Sequence, residues 1–329
     1  MPKAGGRSLK SAIRSSSAAE SFLNHEQSAM NNPRIPFMLS SQRPPLAGLD
    51  GRAILVHLVV NVEHWPFDQP MPRTLLTPPH GRETVPDVPN FSWAEYGLRC
   101  GLPRMIDAIR SRGLPASASL NASVIDAYPQ AAQALLETGW EFIGHGIHQR
   151  ALSQEDGDGQ ARTIVAALDR IERFSGRRPR GWLSPGLRET QDTPDLLAQA
   201  GIDYLFDWCL DDLPNWMRTS GRPLLALPYA LELNDSVIHA VEKHATGEFG
   251  RRLERTLDLY AEEARHNGRP RVLTLGLHPH LMGVPHRYAD LLDMLDRLQR
   301  HPMTRFVTGA GIYEWYAGQV RPDFGGAQA

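Results

Sequence analysis

The run Ala53-Ile-Leu-Val-His-Leu-Val-Val60 constrains this chain more than any other stretch. It is apolar at nearly every position instead of at alternate ones. A strand of that kind is buried on both faces, which in practice means a parallel sheet covered by helices. The rest of the chain repeats the pattern. Ala116–Leu120, Trp140–Gly144, Gly181–Leu183, Tyr204–Asp207, Leu224–Leu227, Val272–Leu277 and Phe306–Thr308 read as further strands. Helical spacing separates them at Pro129–Thr138, Gln160–Phe174, the segment opened by Thr193-Pro194, Phe249–Ala264 and Tyr288–Leu298. Ser92 with Glu95 three residues on reads as a capping box for a helix that Gly113 ends. Alternating strands and helices, in roughly seven or eight units, predict a parallel α/β barrel and not an open sheet.

Composition narrows the partners. Lys and Arg total 35 against 37 Asp and Glu, a net charge of −2, without the basic excess of a nucleic-acid binder. Two cysteines, Cys100 and Cys209, make neither a disulfide framework nor a multi-cysteine zinc site. Apolar runs fall far short of the ~18 residues that suggest a membrane span. The expectation is a cytoplasmic protein acting on a small molecule, with no nucleic acid and no membrane partner. Residues 1–50 are rich in Ser, Ala and Arg, lack periodicity and contain no secretory signal; they read as a disordered extension. Residues 51–318 read as one domain and 319–329 as a tail.

The segment His64–Ser92 carries seven prolines directly after the first strand. A loop so long is either a cover over a site or a surface excursion, and the sequence leaves both open.

In a parallel barrel the chemistry gathers beyond the C-terminal strand ends. The first strand runs into Asn61, Glu63, His64 and Trp65, and the second into Asn121. The third leads to His145 and His148, the fourth to Ser184, and Val272–Leu277 to His278 and His280. Asp211 and Asp212 follow Tyr204–Asp207. His239, His244, His266 and His301 lie away from strand ends and read as surface residues. A P-loop, a His-Glu-x-x-His helix and a complete dinucleotide fingerprint are all missing. Gly181-Trp-Leu-Ser-Pro-Gly186 has one residue too many for a nucleophile elbow.

Four of these segments carry a resemblance. Val59-Val-Asn-Val-Glu-His64, Trp140-Glu-Phe-Ile-Gly-His-Gly-Ile-His-Gln149, Pro179-Arg-Gly-Trp-Leu-Ser-Pro-Gly186 and Leu277-His-Pro-His-Leu-Met-Gly283 occur in the order of the NodB-homology polysaccharide deacetylase superfamily. The chain resembles most the branch of cofactor-independent allantoinases and cyclic imide hydrolases. Asp207, Asp211-Asp212-Leu-Pro214, Leu227-Pro-Tyr229, Asn234-Asp235 and Pro285-His-Arg287 support that placement. The resemblance implies a distorted parallel (β/α) barrel of about seven strands and a homo-oligomer. Metal-dependent members place an aspartate base and an aspartate ligand after the first strand, two histidines with three residues between them after the third, and a late histidine acid. Here Glu63 is the only carboxylate at the first place, and Gln149 stands where the second histidine belongs, with His148 one residue early. His145 and His278 match. The cofactor therefore stays open between none and one divalent metal, zinc for preference, held by Glu63, His145 and His148.

The expected reaction is hydrolysis of a non-peptide amide C–N bond, most readily in a small cyclic amide or imide. A metal-dependent N-acetyl sugar deacetylase and a catalytically inactive relative are the alternatives. Glu63 is the expected base, its pKa raised by burial near Trp65, and His278 the acid. His145 and Asn61 would orient water or stabilise the oxyanion. Trp65, Asn121, Trp182, Arg188 and Asp212 would contact substrate.

Overall fold

The structure is a computed structural model that describes residues 32–78, 81 and 84–324, so the expectations for residues 1–31 and 325–329 lie outside the described residues. The chain divides into two compact units. One comprises Pro44–Pro322 and the other takes in the chain up to Arg43 and from Asp323. The described part of the latter includes a 3-10 turn at Ser40–Gln42.

Among the described residues nine strands build the larger unit: β1 (Ile54–Val62), β2 (Ser117–Leu120), β3 (Glu141–Gly144), β4 (Gly181–Trp182), β5 (Tyr204–Leu205), β6 (Asn215–Met217), β7 (Leu224–Ala226), β8 (Arg271–Leu277) and β9 (Thr304–Val307). They form one curled, incomplete barrel in the order β6-β7-β5-β4-β3-β2-β1-β8. All pairings are parallel except β6 with β7. That short edge strand escaped the sequence reading, since three residues give no measurable periodicity. β1 is buried at all nine positions, as its apolar run requires. Its pairing also explains why the barrel is distorted. β8 runs along Ile54–Val60 of one edge. The opposite edge is shared, β9 taking Ile54–His57 and β2 taking Val59–Val62.

The helices follow the expected places with two differences. The helix expected to begin at Ser92 begins at Val88, because Asp87 and not Ser92 is the cap; its carboxylate accepts from Asn90 N at 3.3 Å. This helix (Val88–Tyr96) runs through a π-turn (Gly97–Gly101) into the helix Leu102–Arg110. Gly97 and Gly101 permit this: a Cβ on either would lie within 2.5 Å of the backbone of Pro279 or His280. That close approach seats the short helix Pro279–Met282 directly after His278. The sequence reading also missed a last helix, Gly309–Ala317.

Side chains alternate along a strand, so Leu55, His57, Val59, Asn61 and Glu63 share the face of β1 that looks into the barrel. The interior is layered along that line. Leu55 and Val59 join Ile143, Leu183, Phe206, Leu225 and Val272 in an apolar core that Ile312, Trp315 and Tyr316 close from below. Leu46 and Leu49 pack against the same core. Glu141 fastens this floor. Its carboxylate accepts from Gly309 N (2.8 Å) and Ala310 N (3.0 Å) at the start of the last helix, from the Ser117 hydroxyl (2.5 Å) and from the Tyr204 hydroxyl. A carboxylate at a helix N-terminus also meets the positive end of the helix dipole. Glu141→Ala leaves Ala310 N and the Tyr204 hydroxyl without this acceptor and is expected to cost about 3 kcal/mol, read as a lower urea midpoint with an unchanged slope.

Candidate active site

Above the apolar layer the interior turns polar. Asn61 is 2 % exposed and hydrogen-bonded throughout. Its amide donates to the Tyr229 hydroxyl (3.0 Å) and to Leu277 O (3.2 Å), and its carbonyl accepts from the Ser119 hydroxyl (2.7 Å). Asn234 also donates to Tyr229, at 3.2 Å, and pairs with Gly276 across a single parallel bridge. Only glycine serves at 276, since a Cβ there would sit 2.6 Å from the Asn234 amide and 2.8 Å from the Tyr229 oxygen. This network closes the gap between β7 and β8 and so fixes where Asp235 and His278 fall.

One step higher, three functional groups meet. Glu63 Oε1 lies 3.5 Å from His278 Nε2 and 3.9 Å from His145 Nε2. Both separations exceed a direct hydrogen bond, and a water placed beside them would bridge all three groups. Every group has its own support. Trp65 Nε1 donates to Glu63 Oε2 at 2.8 Å, and Gln149 Nε2 donates to Oε1 at 2.9 Å. His145 Nδ1 donates to Leu183 O at 2.5 Å, so Nε2 of the neutral ring is an acceptor. Asp235, wholly buried, accepts from His278 N on one oxygen and from His278 Nδ1 on the other, each at 2.6 Å.

The electrostatics overturn one expectation. Burial does push the Glu63 carboxyl upward, but the His145 and His278 imidazoles, with the further charge of His278, hold it well below the ordinary range. Trp65, expected to raise it as an apolar neighbour, instead gives it an N–H. Burial likewise pulls His278 down, and the Asp235 and Glu63 carboxylates outweigh this and lift it to about 9. Burial, aided by the charge of His278, lowers His280 to about 3. Neutral pH therefore finds a carboxylate facing an imidazolium, with His280 uncharged.

Glu63, His145 and His278 thus come together, and Trp65 joins them by holding Glu63. The other expected contacts do not. Asn61 is spent in the interior network and has no free donor for an oxyanion. Asn121 is fully buried; it accepts from His64 N at 2.9 Å and donates to His145 O, tying two strand ends together. Trp182 is fully buried and its indole N–H goes to the Ser184 hydroxyl at 3.0 Å, so it is core. Asp212 lies at the opposite end of the sheet, where its backbone accepts from Val272 N and its carboxylate from the Tyr260 hydroxyl (2.7 Å). Arg188 is exposed after the turn Pro185–Leu187. His239, read as a surface residue, is buried with Nδ1 donating to His244 O at 3.1 Å. Asp235 was missed as a functional residue because it follows an irregular stretch, not a strand. The signal for it was the need of a catalytic imidazole for an acid on its far nitrogen.

The segment after β1 is tied down over this cluster. Phe67 and Phe91 stack edge to face at 4.9 Å, and Asn90 accepts from Leu75 N and Leu76 N at 2.6 and 3.0 Å. Arg73 donates to the Ser236 carbonyl and hydroxyl, next to Asp235. Trp65 and Trp93 both stand edge-on to His280, at 5.4 and 4.7 Å. The described part of the segment is a cover and not an excursion.

The donor set does not suit the divalent metal that the metal-dependent members use. Each Glu63 oxygen already faces an N–H, and the position of the second histidine presents the Gln149 amide hydrogens. His148 Nε2 is buried without a partner, and His64 turns aside to the Ser123 hydroxyl at 2.7 Å. Among the described residues no three His, Cys, Asp or Glu side chains form a metal-holding group. Dialysis against a strong chelator is expected to leave turnover within twofold of the untreated protein, checked by elemental analysis of the same sample.

Comparison with known proteins agrees with this architecture. A family model described as polysaccharide deacetylase matches residues 90–205. The chain is 26% identical over 223 residues to a putative polysaccharide deacetylase of Schizosaccharomyces pombe, covering 62% of this chain and 68% of that one. It is similar to the crystal structure of a probable polysaccharide deacetylase from Pseudomonas aeruginosa PAO1, with 26% identity, a TM-score of 0.74, and 84% and 95% of the two chains covered. Puue allantoinase shares the fold at 24% identity and a TM-score of 0.76, covering 88% and 98% of the two chains. Deacetylase descriptions predominate among these relatives. Motif order, barrel topology and these similarities all liken the chain to the NodB-homology deacetylases.

Proposed function

We propose that the protein hydrolyses the amide of a small N-acetylated sugar, with Glu63 taking a proton from water and His278 giving one to the departing nitrogen. The facing Glu63–His278 pair, backed by Asp235, carries the chemical part of this reading. The deacetylase relatives support the acetamido group as the bond cut, and the tied-down cover supports a small molecule over a polymer chain. An amide carbonyl resists water because of its resonance, so attack and leaving-group protonation must both be assisted. Water held by Glu63 Oε1 and His145 Nε2 adds to the carbonyl carbon, its proton passing to Glu63. His278, charged at neutral pH, then protonates the nitrogen as the C–N bond breaks. Glu63 returns its proton across 3.5 Å to His278 Nε2, and the starting charges are restored. Asp235 keeps the imidazole oriented and stabilises its charged form.

A second reading is ring opening of a cyclic amide or imide. The replacement of metal-type donors by Glu63 and Gln149, together with two indoles beside His280, favours it. A screen of N-acetylglucosamine and its oligomers against hydantoin, allantoin and succinimide separates the two. Acetate release from the monosaccharide sustains the proposal. Ring opening alone transfers the function to the second reading, and turnover confined to long oligomers contradicts the small-substrate argument.

A further inference from the structure

Arg73 sits on the cover, half-buried, and reaches the backbone and hydroxyl of Ser236 through Nη1. Ser236 directly follows Asp235, the residue that grips His278, and the charge of Arg73 is felt by His280. A guanidinium has five N–H donors, and the edge formed by Nε and Nη2 is the one that matches a carboxylate in two parallel bonds. Ser236 uses only Nη1. Among the described residues no carboxylate lies within ion-pair distance of Arg73, whereas Arg112, Arg180, Arg252 and Arg271 each pair with one. A half-buried cation left without a counter-ion is unfavourable unless something else supplies the charge.

We propose that Arg73 is a substrate-recognition residue and that it binds a carboxylate carried by the substrate beside the amide that is cut. This rests on the amide-hydrolase reading and narrows its substrate class to acidic small amides. Glu63 and Asp235 repel an anion elsewhere in the site, so the substrate carboxylate has one favourable place, on the cover side. That choice also orients the amide toward Glu63 and His278.

The test uses matched neutral and acidic compounds with the full chain. N-acetylglucosamine is paired with N-acetylmuramic acid, and hydantoin with hydantoin-5-acetic acid. In whichever pair is turned over, the acid is expected to have at least tenfold higher kcat/KM, through KM. Arg73→Gln is expected to collapse the acid-to-neutral ratio at least tenfold, and Arg73→Lys to restore part of it. Wild-type preference for the neutral member overturns the proposal. So does an equal loss on both members in Arg73→Gln, which would make Arg73 a fastening of the cover. If neither pair is hydrolysed, the hydrolase reading of these substrates fails separately. Calorimetric titration of the two acids then decides Arg73: binding lost in Arg73→Gln sustains the proposal, and absent or unchanged binding overturns it.

Discussion

Glu63→Gln is expected to lower kcat/KM by about 10³-fold, within the span of a lost general base. The substitution is nearly isosteric and retains an oxygen for the indole N–H of Trp65, so the fold should survive. What it removes is the carboxylate that takes a proton from water at the centre of the cluster. It also removes one of the two carboxylates that lift His278, whose pKa should fall from about 9 toward the ordinary imidazole value. A proton titration of His278 followed by NMR therefore reads the same contact independently of rate. Activity within threefold of wild type, with His278 still titrating near pH 9, would remove Glu63 from the mechanism.

The second large effect is expected at Asp235. Asp235→Asn removes the leading source of the His278 upshift while leaving a side chain of the same shape. The rate at neutral pH is expected to fall about 10²-fold, the lower end for impaired acid–base catalysis. In the wild type the alkaline limb of kcat/KM should lie near pH 9, where His278 loses its proton; in the variant it moves toward 6.5. Stability follows the same sign. A folded pKa above the unfolded one means that the His278 contribution is complete below about pH 6.5 and is lost as pH rises through about 9. Glu63, held low, acts oppositely: its contribution is present above the unfolded carboxyl range and lost as pH falls through its depressed value. Urea midpoints across pH should thus decline on the alkaline side in wild type and stay flatter in Asp235→Asn. An alkaline limb unmoved by the substitution would show that another group carries the proton.

Much of this was open to reading from the residues. β1 announced itself because seven apolar residues in a run of eight admit few environments, and alternation along it put Asn61 and Glu63 on one face. The strand-end rule then found Glu63, His145 and His278, since each is one or two positions beyond a strand. The same rule failed for Asp212, because the chain around it belongs to the other end of β8, and strand direction cannot be read from a short apolar run. Asn61, Asn121 and Trp182 are at the right height but face inward. A polar side chain at a strand end looks alike in sequence whether it meets a ligand or a buried partner. Asp235 was invisible as a functional group for a related reason: its place depends on one bridge between Asn234 and Gly276 and on the close packing that glycine permits there. The sign of the Glu63 shift could not be foreseen either, because it depends on donors from Gln149 and Trp65 whose orientation only the folded chain supplies.

The floor of the barrel has a consequence for how the chain is made. β9 and the helix behind it lie far along the chain from β1, yet they occupy the lower edge of β1 and satisfy Glu141, both laid down earlier. Until the ribosome releases them, Glu141 and the lower half of β1 stand exposed to water and to one another's nascent neighbours. The barrel therefore cannot close until β9 has been made, and chaperone demand should fall on that waiting interval. Chains shortened before residue 304 should accumulate as aggregates and not as a smaller folded form.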